Sequence, residues 1–203
     1  MADVLTLAPG EAVPGRAFAD PANTERDLAT LASMRQALRL RAREKEALAG
    51  RWSDSGDQHW LVAPEPALLA SDRPVVAVGF FGDAREDVDH GPILRMEHEL
   101  TERAADFAGL LAYHDVLFAE SAQFGNLVVF AANDDMSHVR GDALHVEAME
   151  RAHVHYRSVR LHRLRLPDGA LGDAPAELVS TLLLDFGETP PWRAIRRGPA
   201  ETS

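Results

Sequence analysis

The chain of 203 residues contains no cysteine. That single absence removes disulfides, thiolate zinc sites, iron–sulfur clusters and thiol nucleophiles. No apolar run approaches the ~20 residues of a membrane-spanning helix. The opening MADVLTLAPGEAVPG lacks the basic start and apolar stretch of a secretory signal. The glycine patterns that cradle phosphates, the HExxH zinc motif and the GxSxG nucleophile turn are all missing, and no Lys follows Gly79 and Gly82 to make a phosphate loop. Positive charge is also short. Lys and Arg number 21 against 32 Asp and Glu, a net charge of −11, which argues against nucleic-acid and anionic-membrane surfaces. These absences lead us to expect a cytoplasmic protein with neither nucleic acid nor membrane as a partner.

What is present reads as a folded chain, since apolar residues make up 46% of it. Its organisation suggests three parts. Residues 1–72 form an N-terminal extension with one helix and a linker, residues 73–189 a regular α+β core, and residues 190–203 an irregular tail. The helix is expected over about 24–49, from Thr24 and Asp27 at capping spacing to a stop at Gly50. Arg35, Arg39 and Arg43 recur on one of its faces, joined by Arg41 and Lys45. We read that face as solvated or docked on the acidic remainder rather than as a nucleic-acid arm, because Glu44, Glu46 and the acidic body oppose a basic footprint. One short strand is expected at 59–62, with Trp52 and Trp60 as packing anchors.

From residue 73 the pattern becomes regular. VVAVGFF (75–81) is a buried strand. Pro92 opens a helix whose face is marked by Ile93, Met96, Leu100, Ala104 and Phe107. LLAYHDVLFA (110–119) and NLVVFAA (126–132) are the next two strands. A second helix runs to about residue 153 with Gly141 as its weak point, and YRSVRLHRLRL (156–166) and VSTLLLDF (179–186) follow as strands. Strand, helix, strand, strand, helix, strand is the split βαβ order of the ferredoxin-like fold. Two helices on one side of such a sheet leave the other side bare. A bare face needs cover, and we expect a second copy of the chain to supply it as a homodimer. The alternative cover is the N-terminal helix.

Candidate chemistry lies on that bare side. If Val159 and Leu161 meet the helices, alternation sends Tyr156, Arg160 and His162 to the open face. The same argument puts Tyr113 and Asp115 beside them. A phenol, a carboxylate, a guanidinium and an imidazole would orient a small ligand in an apolar pocket. His162 would act as general acid or base and Arg160 would stabilise an oxyanion; the structural reading of the same set is a cross-strand network. His138 and His145 share a face of the second helix, where small neighbours leave room beside His145 for a haem-ligating imidazole; the alternative is a hydrogen-bonded surface histidine. His153 with His155, His98 with Glu102, and His90 with Asp89 read more simply as surface pairs or caps than as metal ligands, so no metal site is expected.

The strands VVAVGFF, LLAYHDVLFA, NLVVFAA and YRSVRLHRL, with the His145-bearing helix, resemble the dimeric α+β barrel superfamily over about residues 73–189. That superfamily includes cofactor-free monooxygenases, muconolactone isomerase-like proteins, haem-degrading enzymes, chlorite dismutase-like proteins and aldoxime dehydratases. The resemblance implies a small-molecule enzyme, with a haem protein ligated by His145 as a second possibility. A non-catalytic dimeric binding protein, with the basic helix and Trp192, Arg193, Arg196 and Arg197 as partner surfaces, is the third.

Overall fold

The computed structural model describes residues 4–44, 48–119 and 123–199. Nine strands form one sheet: β1 (Leu5–Leu7), β2 (Ala49–Asp54), β3 (Asp57–Val62), β4 (Val75–Ala84), β5 (Leu110–Leu117), β6 (Phe124–Phe130), β7 (Tyr156–Leu166), β8 (Glu177–Asp185) and β9 (Trp192–Arg197). The helices are α1 (Pro21–Arg43), the short α2 (Pro66–Leu69), α3 (Gly91–Glu102), α4 (Met136–Arg140) and α5 (Ala143–His155). The spatial order is β1-β9-β8-β7-β4-β6-β5-β3-β2. Neighbours are antiparallel except the β1–β9 pair. The class is therefore mixed α+β, as expected, but the sheet is larger than residues 73–189 alone supply. The tail, expected to be irregular, contributes β9, and the extension contributes β1, β2 and β3.

The two sheet faces follow from alternation along β4. Val75, Ala77 and Phe81 pack with Leu31, Met34 and Leu38 of α1. Val76 and Val78 turn to the cluster holding Leu100 of α3 and Met136 and Val139 of α4, and Phe80 to the one holding Ile93 of α3 and Ala148 of α5. The side read as bare is thus covered by α1 of the same chain. It needs no second copy there, and the N-terminal helix provides the cover that was the alternative reading. The approach is close because Gly79 has no side chain: a Cβ there would lie 2.4 Å from Leu31 Cδ1.

Helix α1 begins at Pro21, capped by Asp20, whose side chain accepts from the Ala22 amide at 2.8 Å. Its buried stripe is Thr24, Asp27, Leu31, Met34, Arg35 and Leu38. Three of these are polar, and each meets a partner. Arg35 donates to the carbonyls of Ala170 (2.9 Å), Gly169 (2.7 Å) and Ala174 (2.7 Å) and pairs with Asp168 at 3.1 Å. Arg39 reaches the Gly172 carbonyl, and Arg39 and Arg43 approach Asp173 at 3.7 and 3.9 Å. The basic face is docked on the loop between β7 and β8, and Lys45 lies outside the described residues. Arg196, counted above among possible partner-surface residues, is buried and donates to the Glu11 carbonyl at 2.7 Å and to that of Ala19. Among the described residues, no helix is long and apolar enough to cross a membrane.

Candidate active site

The five residues expected to share one face are divided between two. Arg160 and His162 point to the α1 side. There Asp27 receives a fork from Arg160, Nε to Oδ2 at 2.6 Å and Nη2 to Oδ1 at 3.2 Å, and lies 2.9 Å from His162 Nε2. His162 Nδ1 meets Thr181 Oγ1 at 3.0 Å, and Arg160 also reaches Asp83 at 3.3 Å. Arg160 and Asp27 are 2% exposed and His162 0%. Burial alone would raise the Asp27 pKa, but the bonds from His162 and Arg160 outweigh it and hold the carboxylate below its ordinary range. Asp27, Arg160 and His162 are buried against one another, so the network ties α1 to the sheet.

Tyr113, Asp115 and Tyr156 lie on the opposite face, under α3 and α5. Tyr156 packs with Ile93, Ala148 and Val159 and sets its ring edge-on to Phe80 at 5.4 Å. The register shift between Asp83 and Ala84 moves it off the face of Arg160. The parity assumed for β5 was inverted, because Leu110–Val116 is buried throughout and a strand covered on both sides carries no alternation.

A groove of about 740 Å³ opens above Asp115. Its walls are α3 and the β2–β3 hairpin, with Arg51, Trp60, Leu94 and His98 among its lining, and Leu117 and Phe124 beside Asp115. Trp60 and His98 have ring centroids 3.8 Å apart, and the Arg51 guanidinium stands 4.5 Å over Trp60. Trp60, expected as a packing anchor, is a wall of this groove. Trp52 also lines it while stacking on His59 at 4.8 Å.

Two carboxyl groups meet at the floor. Tyr113 Oη donates to Glu97 Oε2 at 2.9 Å, and Thr101 Oγ1 lies 2.9 Å from Asp115 Oδ2. The Thr101 hydroxyl also donates to the Glu97 carbonyl at 2.8 Å. One hydroxyl proton cannot serve both acceptors. The arrangement is satisfied when Asp115 carries a proton and donates it to Thr101. Burial, joined by the neighbouring Glu97 charge, pushes Asp115 well above the ordinary carboxylate range. Burial also raises Glu97, to about 7, with the Tyr113 hydrogen bond opposing it. Asp115 Oδ1 is buried with no hydrogen-bond partner, and Asn126, directly opposite on β6, is buried too. Burial and the shared Thr101 hydroxyl thus favour the protonated form of Asp115, beside a Glu97 pushed up to about 7.

Glu97 was not among the residues singled out from the sequence. Its signal was there, because it falls four residues after Ile93 and three before Leu100, inside the apolar stripe of α3. His145 lies on α5, which contributes nothing to the groove lining. Its Nδ1 is buried without a partner, and burial keeps its imidazole neutral by lowering its pKa. Among the described residues no group of three or more His, Cys, Asp or Glu could hold a metal ion.

No family model and no curated protein matches the sequence. Among solved structures, a haem-degrading enzyme from Listeria monocytogenes is 12% identical with a TM-score of 0.38, over 48% of this chain and 61% of that one. A monooxygenase-like protein from Listeria innocua is 12% identical with a TM-score of 0.33, over 57% of this chain and 76% of that one. The chain thus spans about three-fifths of the haem-degrading enzyme's length.

Proposed function

We propose that the chain is a small-molecule enzyme that moves a proton at the floor of this groove. The observation that carries the reading is the carboxyl pair lining the groove floor, Glu97 held by Tyr113 at 2.9 Å and Asp115 at 2.9 Å from the Thr101 hydroxyl, with burial pushing both carboxyls up. A general base is most effective with a pKa near the working pH. Glu97 would take a proton from a carbon next to a carbonyl. Asp115, kept protonated, would place no second negative charge beside the oxygen on which charge develops. Return of the proton to a second carbon completes an isomerisation with no oxidant consumed. Tyr113 would position Glu97. Of the monooxygenase-like and isomerase-like readings, the pair supports the second.

The order β4–α3–β5–β6–α5–β7, with its strands arranged β7-β4-β6-β5, supports reading this unit as a ferredoxin-like split βαβ related to the dimeric α+β barrels. The homodimer proposal moves away from the α1 side to the outer surface of α5, where Val146, Met149 and Val154 are exposed.

The test is deuterium uptake, followed by proton NMR, into a panel of 1,3-dicarbonyl and β,γ-unsaturated carbonyl compounds. The protein should accelerate uptake for part of the panel, and Glu97→Gln should lower the rate by about 10²–10⁴-fold. Uptake no faster than in buffer across the panel would remove the reading. Adding hemin separates the haem alternative, which requires a Soret band that His145→Ala abolishes.

A further inference from the structure

We propose that the groove takes a small planar organic anion, its acid group held at the mouth by Arg51 and Arg95 and its ring laid along Trp60. This rests on the proton-transfer reading, because it assigns the other end of the same molecule to Glu97.

Three observations lead to it. First, Arg51 and Arg95 line the groove, and neither has an ion pair among the described residues. Second, Arg51 is held in place. Its guanidinium stacks on Trp60 at 4.5 Å and lies 2.8 Å from His98 Nδ1, which leaves the rest of its planar fork for a carboxylate. His98 is itself 3.2 Å from Glu102. Third, the space between mouth and floor is bounded by Trp60, Leu94, Leu117 and Phe124, which suits a ring, and its volume of about 740 Å³ admits one or two fused rings.

The probe is 1-naphthoate, with 1-naphthamide as its neutral twin, titrated calorimetrically at fixed ionic strength with the Trp60 indole signal followed by NMR. Naphthoate should bind about tenfold more tightly than the amide and shift Trp60. Arg51→Gln with Arg95→Gln should abolish that preference, read as the ratio of the two affinities within the double variant. Both positions are exposed, so the fold should survive. Arg51→Lys, which keeps charge but loses the fork, should fall between. Equal affinity for the two probes, or a preference that persists in the double variant, would overturn the proposal. The two readings fail separately. If carbon acids exchange but naphthoate has no advantage, only the anion assignment is lost. If Glu97 titrates at an ordinary carboxylate pH, the proton-transfer reading is lost whatever the anion preference.

Discussion

At the scale of single residues, the carboxyl pair makes a signed prediction about stability. A Glu97 with a folded pKa of about 7 holds a proton that the unfolded chain releases near its ordinary value of 4.5. Between those values the native state binds more protons, so stability falls as pH rises through the window and levels off above it. Glu97→Gln cannot titrate. Relative to that variant, the wild type should lose roughly 1–3 kcal/mol between pH 5 and pH 8, at 1.36 kcal/mol per pKa unit discounted for water in the groove. Urea midpoints at the two pH values measure it, and parallel pH dependence in the two proteins would contradict the raised pKa. Asp115 gives the complementary case. Its proton is retained, so Asp115→Asn removes no charge and should change stability by less than about 1 kcal/mol. A large loss would mean that Asp115 is ionised and paired, and the division of roles between the carboxyls would be wrong.

At the scale of elements, the junction of α1 with the sheet depends on Asp27 as much as on Leu31, Met34 and Leu38. Asp27→Ala leaves Arg160 and His162 buried without their shared acceptor, and should cost about 3–5 kcal/mol in urea unfolding. Because the Asp27 pKa is lowered, its contribution is present above the ordinary carboxylate pKa of 3.8 and is lost as pH falls through the folded value. The gap between wild type and variant should therefore close in acid. Much of this architecture was legible in the sequence. The runs at 75–81, 110–119, 126–132 and 156–166 announced four strands, Pro92 a helix start, and Gly141 the break between α4 and α5. The face assignments were not legible where both sides are covered. In LLAYHDVL every residue up to Val116 is buried, so nothing in the spacing says whether Tyr113 looks toward α1 or α3. On β7 the alternation correctly separated Val159 and Leu161 from Arg160 and His162. It failed at Tyr156, next to the irregularity at Asp83/Ala84. The polar members of the α1 stripe concealed that this helix is the cover. Asp27 read as a capping residue and Arg35 as part of a solvated or docked basic face, yet each is buried against a partner far along the chain, and only the fold brings those partners together.

At the scale of the whole molecule, the nine strands are not equally secured. β4, β6 and β7 are flanked by strands on both edges and covered by helices on both faces, with α1 on one side and α3 or α5 on the other. The β2–β3 hairpin closes one end of the sheet, and β2 is an edge strand with no fully buried residue. Opening free energy rises with buried apolar contact and shielded hydrogen bonds. Amide hydrogen exchange should therefore be slowest in β4 and β6 and fastest, among the long strands, in β2. The hairpin is also a wall of the groove that Glu97 and Asp115 line. A ligand that bridges Arg51 on the hairpin and Arg95 on α3 ties that wall to the body of the protein. Saturating naphthoate should slow exchange of the β2–β3 amides and leave those of β4 and β6 unchanged. A uniform slowing across the sheet would instead place ligand stabilisation in the global unfolding equilibrium. No slowing in the hairpin would mean that the wall closes on nothing, and that its hold on α3 comes from Trp60 and His98 alone.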